Sequence, residues 1–118
     1  MSDEETRKSL VDVLQAIEEI EEFVEGLTFA DYRDDRKTQR AVERAFEIIG
    51  EALNRIKRVN PGFLEGVPAH HKIIGFRNIL AHGYDQVDER IVWNAVTLHV
   101  PSLKGDIQRL LDLEDPQL

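Results

Sequence analysis

Apolar residues along this chain recur every three or four positions and almost nowhere every two. Leu10, Val13, Leu14, Ile17, Ile20, Phe23 and Val24 form one such stripe. Val42, Ala45, Phe46, Ile49, Ala52, Leu53 and Ile56 form a second. Spacings of three and four put side chains on one face of an α-helix, whereas a half-buried strand alternates. The pattern commits the chain to helices that bury one face against each other.

Punctuation sets the boundaries. The first stripe predicts a helix from about residue 4 to 25, with Glu18, Glu19, Glu21, Glu22 and Glu25 on the solvated side and Gly26 as C-cap. Thr28-Phe29-Ala30-Asp31 reads as a capping box with Asp in place of Glu, opening a short helical turn. The second stripe runs to Asn60-Pro61-Gly62, which stops it. Gly50 lies inside it, at a cost of about 1 kcal/mol against Ala. Close approach of another helix is the simplest reason for a glycine there. Residues 60–68 read as a loop, and Ile73, Ile74, Phe76, Ile79 and Leu80 predict a third helix over about 69–81, ended or distorted by Gly83. Asp88 is the expected N-cap of a fourth helix carrying Ile91, Val92, Ala95 and Leu98. Pro101 is expected to break or kink it, and Leu103, Ile107, Leu110 and Leu111 mark a final helix. Long helices with short connections predict an all-α fold, an antiparallel up-and-down bundle of four to five helices in one domain over residues 1–118. Trp93 and Val100 look surplus to a monomer core, so a dimer is expected.

Composition narrows the chemistry. The 118 residues contain no cysteine, which excludes disulfides, thiol nucleophiles and Cys-ligated metal. No apolar run approaches the ~18 residues of a membrane span. The start, Met1-Ser2-Asp3-Glu4-Glu5, lacks the basic then apolar pattern of a secretory signal, so a cytoplasmic location is expected. Fifteen basic residues face 23 acidic ones, a net charge of −8, which argues against a non-specific nucleic-acid binder. The charge is uneven, however. Residues 1–25 hold nine acids and two bases, while residues 33–58 hold eight bases and five acids, enough for a basic face.

One segment departs from plain scaffold: Gly75-Phe76-Arg77-Asn78-Ile79-Leu80-Ala81-His82-Gly83-Tyr84-Asp85. It gathers Arg, Asn, His and Tyr at the end of an apolar helix. Asn78 and His82 are four apart and share a face. Arg77 and His82 are five apart, about 140° around the axis and ~7.5 Å along it, flanking one edge. Arginine brings a permanent charge and a planar donor fork suited to phosphate, and histidine passes protons near neutral pH. Metal-free cleavage of RNA needs little more: a base for the 2′-OH, an acid for the leaving 5′-oxygen and a cation for the phosphorane. A two-fold dimer would supply two such pairs. The same residues also fit bland roles: a helix C-terminal His82 favoured by the dipole, a surface ion-pairing Arg77, a core Tyr84. His70 and His71 with His82 match no metal-binding spacing, and no Gly-rich phosphate loop is present, so no metal or cofactor is expected.

Arg77-Asn78-Ile79-Leu80-Ala81-His82-Gly83-Tyr84 resembles the signature of the HEPN superfamily, an Arg followed by a polar residue and, shortly after, a His. The Gly-Tyr that follows and Val92-Trp93 resemble its HepT-like ribonuclease toxins. Phe29 to Tyr32, Thr38-Gln39-Arg40-Ala41-Val42, Ile48-Ile49-Gly50-Glu51-Ala52 and Val100-Pro101-Ser102-Leu103 extend the resemblance over about residues 8–110. It implies a HEPN-like helical homodimer whose Arg–His edges line one cleft, and metal-independent RNA cleavage. By position it implies that Arg77 stabilises the scissile phosphate, His82 handles the proton and Asn78 orients either. It implies an MntA-like nucleotidyltransferase antitoxin that moves AMP from ATP onto Tyr84. A catalytically inactive HEPN module that binds a nucleotidyltransferase or nucleotide is the alternative the same residues allow. The sequence departs from the family pattern at Val67-Pro68-Ala69-His70-His71, where an aromatic, often Trp, is usual, and at Phe76, where Met is common.

Overall fold

A computed structural model describes residues 4–81 and 88–114. Helix α1 spans Glu4–Val24 and ends ahead of Gly26, whose φ of 77° lies in the left-handed region that glycine enters without strain. Helix α2 is the short Phe29–Arg33. Its capping box is formed on both sides: the Thr28 hydroxyl accepts from the Asp31 N–H, and the Asp31 carboxylate accepts from the Thr28 N–H. Helix α3 spans Arg36–Val59, capped by the Asp35 carboxylate on the Thr38 N–H and hydroxyl. Within the expected loop, Pro61–Gly66 winds into a 3-10 turn. Helix α4 spans His70–Ala81. Helix α5, Glu89–Asn94, starts at Asp88 as its N-cap, passes through a π turn at Ala95–His99 and continues as α6, Val100–Glu114. Among the described residues the chain is all-α, as the periodicity predicts.

Antiparallel order is visible in two tethers between distant residues. Arg55 near the end of α3 pairs with Asp12 in the first half of α1 at 3.0 Å, and Lys104 at the start of α6 pairs with Glu21 near the end of α1 at 2.9 Å. These exposed pairs fix register and contribute little energy. The core contributes most of it: Leu10, Val13, Ile17 and Ile20 of α1 meet Phe46, Ile49, Leu53 and Ile56 of α3, closed by Leu103 and Ile107 of α6. All are at most 1% exposed. Among the described residues no helix is long and apolar enough to cross a membrane.

Two expectations need correction. Pro101 does not break the helix, and the distortion before it is a π turn at Ala95–His99. The proline lacks an N–H and would crowd the carbonyl four residues back, and the wide π turn just upstream relieves this: the Val100 N–H bonds the Ala95 carbonyl, five residues back. Nor are Val100 and Trp93 surplus apolar surface. Val100 is 2% exposed and part of the core. Trp93 is half-buried against Tyr32 and Phe29, with ring centroids 5.3 and 6.3 Å away. Arg90 covers the other ring of this cluster, 4.1 Å above Phe29. Burial pushes the Tyr32 hydroxyl well above the usual tyrosine pKa, and the charges of Glu43 and Glu89 add to the shift.

Candidate active site

The site is built on the seam between α3 and α4. Phe76 of α4 meets Phe46 of α3 edge to face, with centroids 5.1 Å apart. That contact fixes the height of α4 on α3. One residue further, Arg77 crosses α3 at Gly50. A Cβ at Gly50 would overlap the Arg77 stem, coming within 2.6 Å of its Cγ. The mid-helix glycine therefore leaves the room that the Cβ and Cγ of Arg77 occupy. This is the close helix approach that its position in the sequence suggests, and the approaching atoms are the aliphatic stem of a charged side chain.

The stem of Arg77 is thus buried while its side chain stays 29% exposed. Its guanidinium is held from two sides. Nη1 donates to the Asn78 Oδ1 at 3.1 Å. Nη2 faces the Glu51 carboxylate at 3.7 Å, an ion-pair distance too long for a hydrogen bond. Nε is buried and makes no hydrogen bond among the described residues. Glu51 is shared: its other oxygen lies 3.8 Å from Arg44, which also pairs with Glu47 at 3.1 Å. A buried N–H without a partner costs about 1–3 kcal/mol, so an arginine held in this way is a poor choice for stability alone.

Of the four residues singled out in the sequence, the described structure brings two together, Arg77 and Asn78. Asn78 holds the guanidinium itself. His82 and Tyr84 lie outside the described residues, as does Gly83. Sequence reasoning missed Glu51 and the link between Gly50 and Arg77. The only signal for them was the Ile-Ile-Gly-Glu-Ala stretch, which says nothing of what faces it. His70 and His71 stack on each other with centroids 3.8 Å apart, and His70 Nδ1 lies 2.7 Å from the Val67 carbonyl. Beside the site, a cavity of about 230 Å³ opens between α4 and α5, walled by Ile73, Phe76, Ile91 and Ala95 with Lys72, Asn94 and His99 as its polar lining.

Comparison with known proteins follows the same path. The family described as "Ribonuclease HepT-like" matches residues 13–110. A protein of Thermococcus cleftensis named "Probable ribonuclease HepT" is 43% identical over 105 residues, covering 86% of this chain and 91% of that one. A "Putative RNase" of Methanocaldococcus jannaschii is 31% identical, covering 92% and 98%. Another, of Caldanaerobacter subterraneus, is 33% identical, covering 92% and 96%. No solved structure matches the chain significantly. The helical bundle, the arginine groove and these likenesses agree: the chain belongs to the HepT-like ribonuclease family.

Proposed function

We propose that the chain is a metal-independent endoribonuclease, the toxin of a cytoplasmic type VII HepT/MntA-like toxin–antitoxin pair. The observation that carries this reading is the Arg77 groove. A permanent cation is braced by Gly50, Asn78 and Glu51, with a partly exposed side chain, in a chain of a ribonuclease family. In the reaction, the 2′-OH of RNA attacks the adjacent phosphorus. His82 handles the proton in this transfer, and the Arg77 fork stabilises charge on the phosphorane. The 5′-oxygen leaves with a proton, and a 2′,3′-cyclic phosphate remains.

A homodimer would pool two Arg–His edges in one cleft. Exposed Ile91, which lines the α4–α5 cavity, supports an association surface on that side. The partner is an MntA-like nucleotidyltransferase. It joins AMP from ATP to the Tyr84 oxygen, releasing pyrophosphate. The added phosphate charge, seven residues along the sequence from Arg77, repels the phosphates of RNA.

The test is cleavage of RNA in EDTA, with analysis of product ends. Cyclic phosphate ends, lost in both Arg77→Ala and His82→Ala with unchanged helical circular dichroism, are expected. Undiminished cleavage in those variants overturns the site. Absence of cleavage by the wild type favours an inactive module. Incubation with the nucleotidyltransferase and ATP should add the mass of AMP to the wild type and not to Tyr84→Phe.

A further inference from the structure

We infer that Glu51 is a positioning residue for the ribonuclease reaction: it aims the Arg77 guanidinium, and Arg44 on its far side holds it in place. The inference rests on the reading of Arg77 as the phosphate-binding cation. Three observations carry it. Glu51 lies between two arginines, 3.7 Å from Arg77 and 3.8 Å from Arg44, so its carboxylate is bridged. It follows Gly50 directly, so the residue that receives the Arg77 stem and the residue that faces its head are neighbours on α3. The third is charge. Arg44, Glu47, Glu51 and Arg77 form a group of two cations and two anions. An acid beside an anion-binding arginine weakens attraction for phosphate, and its presence needs a compensating role.

Direction supplies that role. A guanidinium is planar, and its fork matches a phosphate only in the right plane. With the Cβ–Cγ stem lying in the Gly50 groove, the remaining freedom is rotation of the head. Asn78 on Nη1 and Glu51 near Nη2 restrain that rotation from opposite ends.

Two simpler roles give different signs. If Glu51 only repels the substrate, Glu51→Gln should cleave faster. If it transfers a proton, Glu51→Gln should lose one limb of the pH–rate profile. Positioning predicts a third pattern. Misaiming a catalytic group by about 1 Å costs up to roughly a hundredfold. Glu51→Gln should therefore lower kcat by about 10- to 100-fold, leave KM for an RNA oligonucleotide equal or lower, and keep the shape of the pH profile. Glu51→Asp, which keeps the charge on a shorter arm, should recover part of the loss. Steady-state cleavage of one fluorescent RNA by wild type, Glu51→Gln, Glu51→Asp and Arg77→Ala reads all of this. Unchanged or raised kcat in Glu51→Gln beside an inactive Arg77→Ala overturns the positioning role and leaves the site intact. A lost limb also overturns it, in favour of proton transfer. Wild-type activity in Arg77→Ala overturns the site and this inference together.

Discussion

Helix α3 presents one face to α1 and another to α4, and the two seams differ in kind. Against α1 it offers Ile49, Leu53 and Ile56, each at most 1% exposed, and the ion pair of Arg55 with Asp12 lies at the margin. Against α4 it offers Phe46 to Phe76, then a glycine to an arginine. The first seam is what maximal apolar burial produces. The second gives up a side chain's worth of packing at Gly50 and leaves the Arg77 Nε buried with no hydrogen bond among the described residues. A fold gains nothing from that exchange. A polar group kept in a helix–helix seam at a cost marks where stability has yielded to chemistry.

Substitutions on the two sides should separate these roles. Arg77→Ala is expected to reduce RNA cleavage by at least about 10²–10³-fold, the cost of removing a charge-stabilising donor, while the thermal midpoint stays level or rises. A large drop in the midpoint would make Arg77 a structural residue and erase the contrast. Leu53→Ala should do the reverse. It should lose about 2–5 kcal/mol in urea unfolding and retain full specific activity per folded molecule.

Gly50→Ala sharpens the contrast, because helix propensity alone would stabilise it by about 1 kcal/mol. The new Cβ meets the Arg77 stem, so both activity and stability should fall. Adding Arg77→Ala should recover little of that stability and none of the activity, because alanine keeps the Cβ that the new methyl group meets first; adding Arg77→Gly instead removes that contact, and unfolding curves of the variants would measure the coupling.

Smaller effects belong to the ends and flank of α3, away from both seams. The Thr38 hydroxyl and N–H hold the Asp35 carboxyl below its usual pKa of 3.8. Its contribution is therefore present above that value and lost as the pH falls through the lower folded value. Asp35→Ala should lower the melting temperature slightly at pH 7, and the difference should shrink as the pH falls below 3.8. Glu43 is shifted the other way: burial raises its carboxyl above 4.5, against the pull of Arg40 and Arg36. The charged form is disfavoured in the folded state, so a cost develops as the pH rises through and above 4.5. Glu43→Gln should raise the melting temperature slightly at pH 7, with the difference vanishing below pH 4.5.

The seams also differ in how far the sequence discloses them. The α1–α3 seam is legible residue by residue, because burial imposes a period of three and four on Leu10 to Ile20 and on Val42 to Ile56. Caps are legible too. Thr28, Asp35 and Asp88 each accept the backbone N–H of a first turn, a local contact. Arg77 and Asn78 stand out as polar residues in an apolar helix. Glu51 does not, because one glutamate on a helix rich in Arg and Glu has no local feature to distinguish it. Its partner is 26 positions away, and only the packing of α4 on α3 brings them together. Pro101 misleads for a related reason. Proline chemistry is local, but the π turn that accommodates it depends on the turn before.

That π turn has a consequence for how the rod tolerates change. Val92, Val96 and Val100 follow one another at intervals of four, whereas Val100, Leu103, Ile107 and Leu110 alternate threes and fours. The turn at Ala95–His99 works as a phase shifter between two otherwise ordinary helices. Deleting one residue inside it would heal the helix and improve its local hydrogen bonding. Because the five-residue turn would become an ordinary four-residue one, Leu103 and Ile107 would still face the core. The same deletion in the regular helix on either side would turn the buried face by about 100°, so the π turn is where this helix best absorbs a change of length.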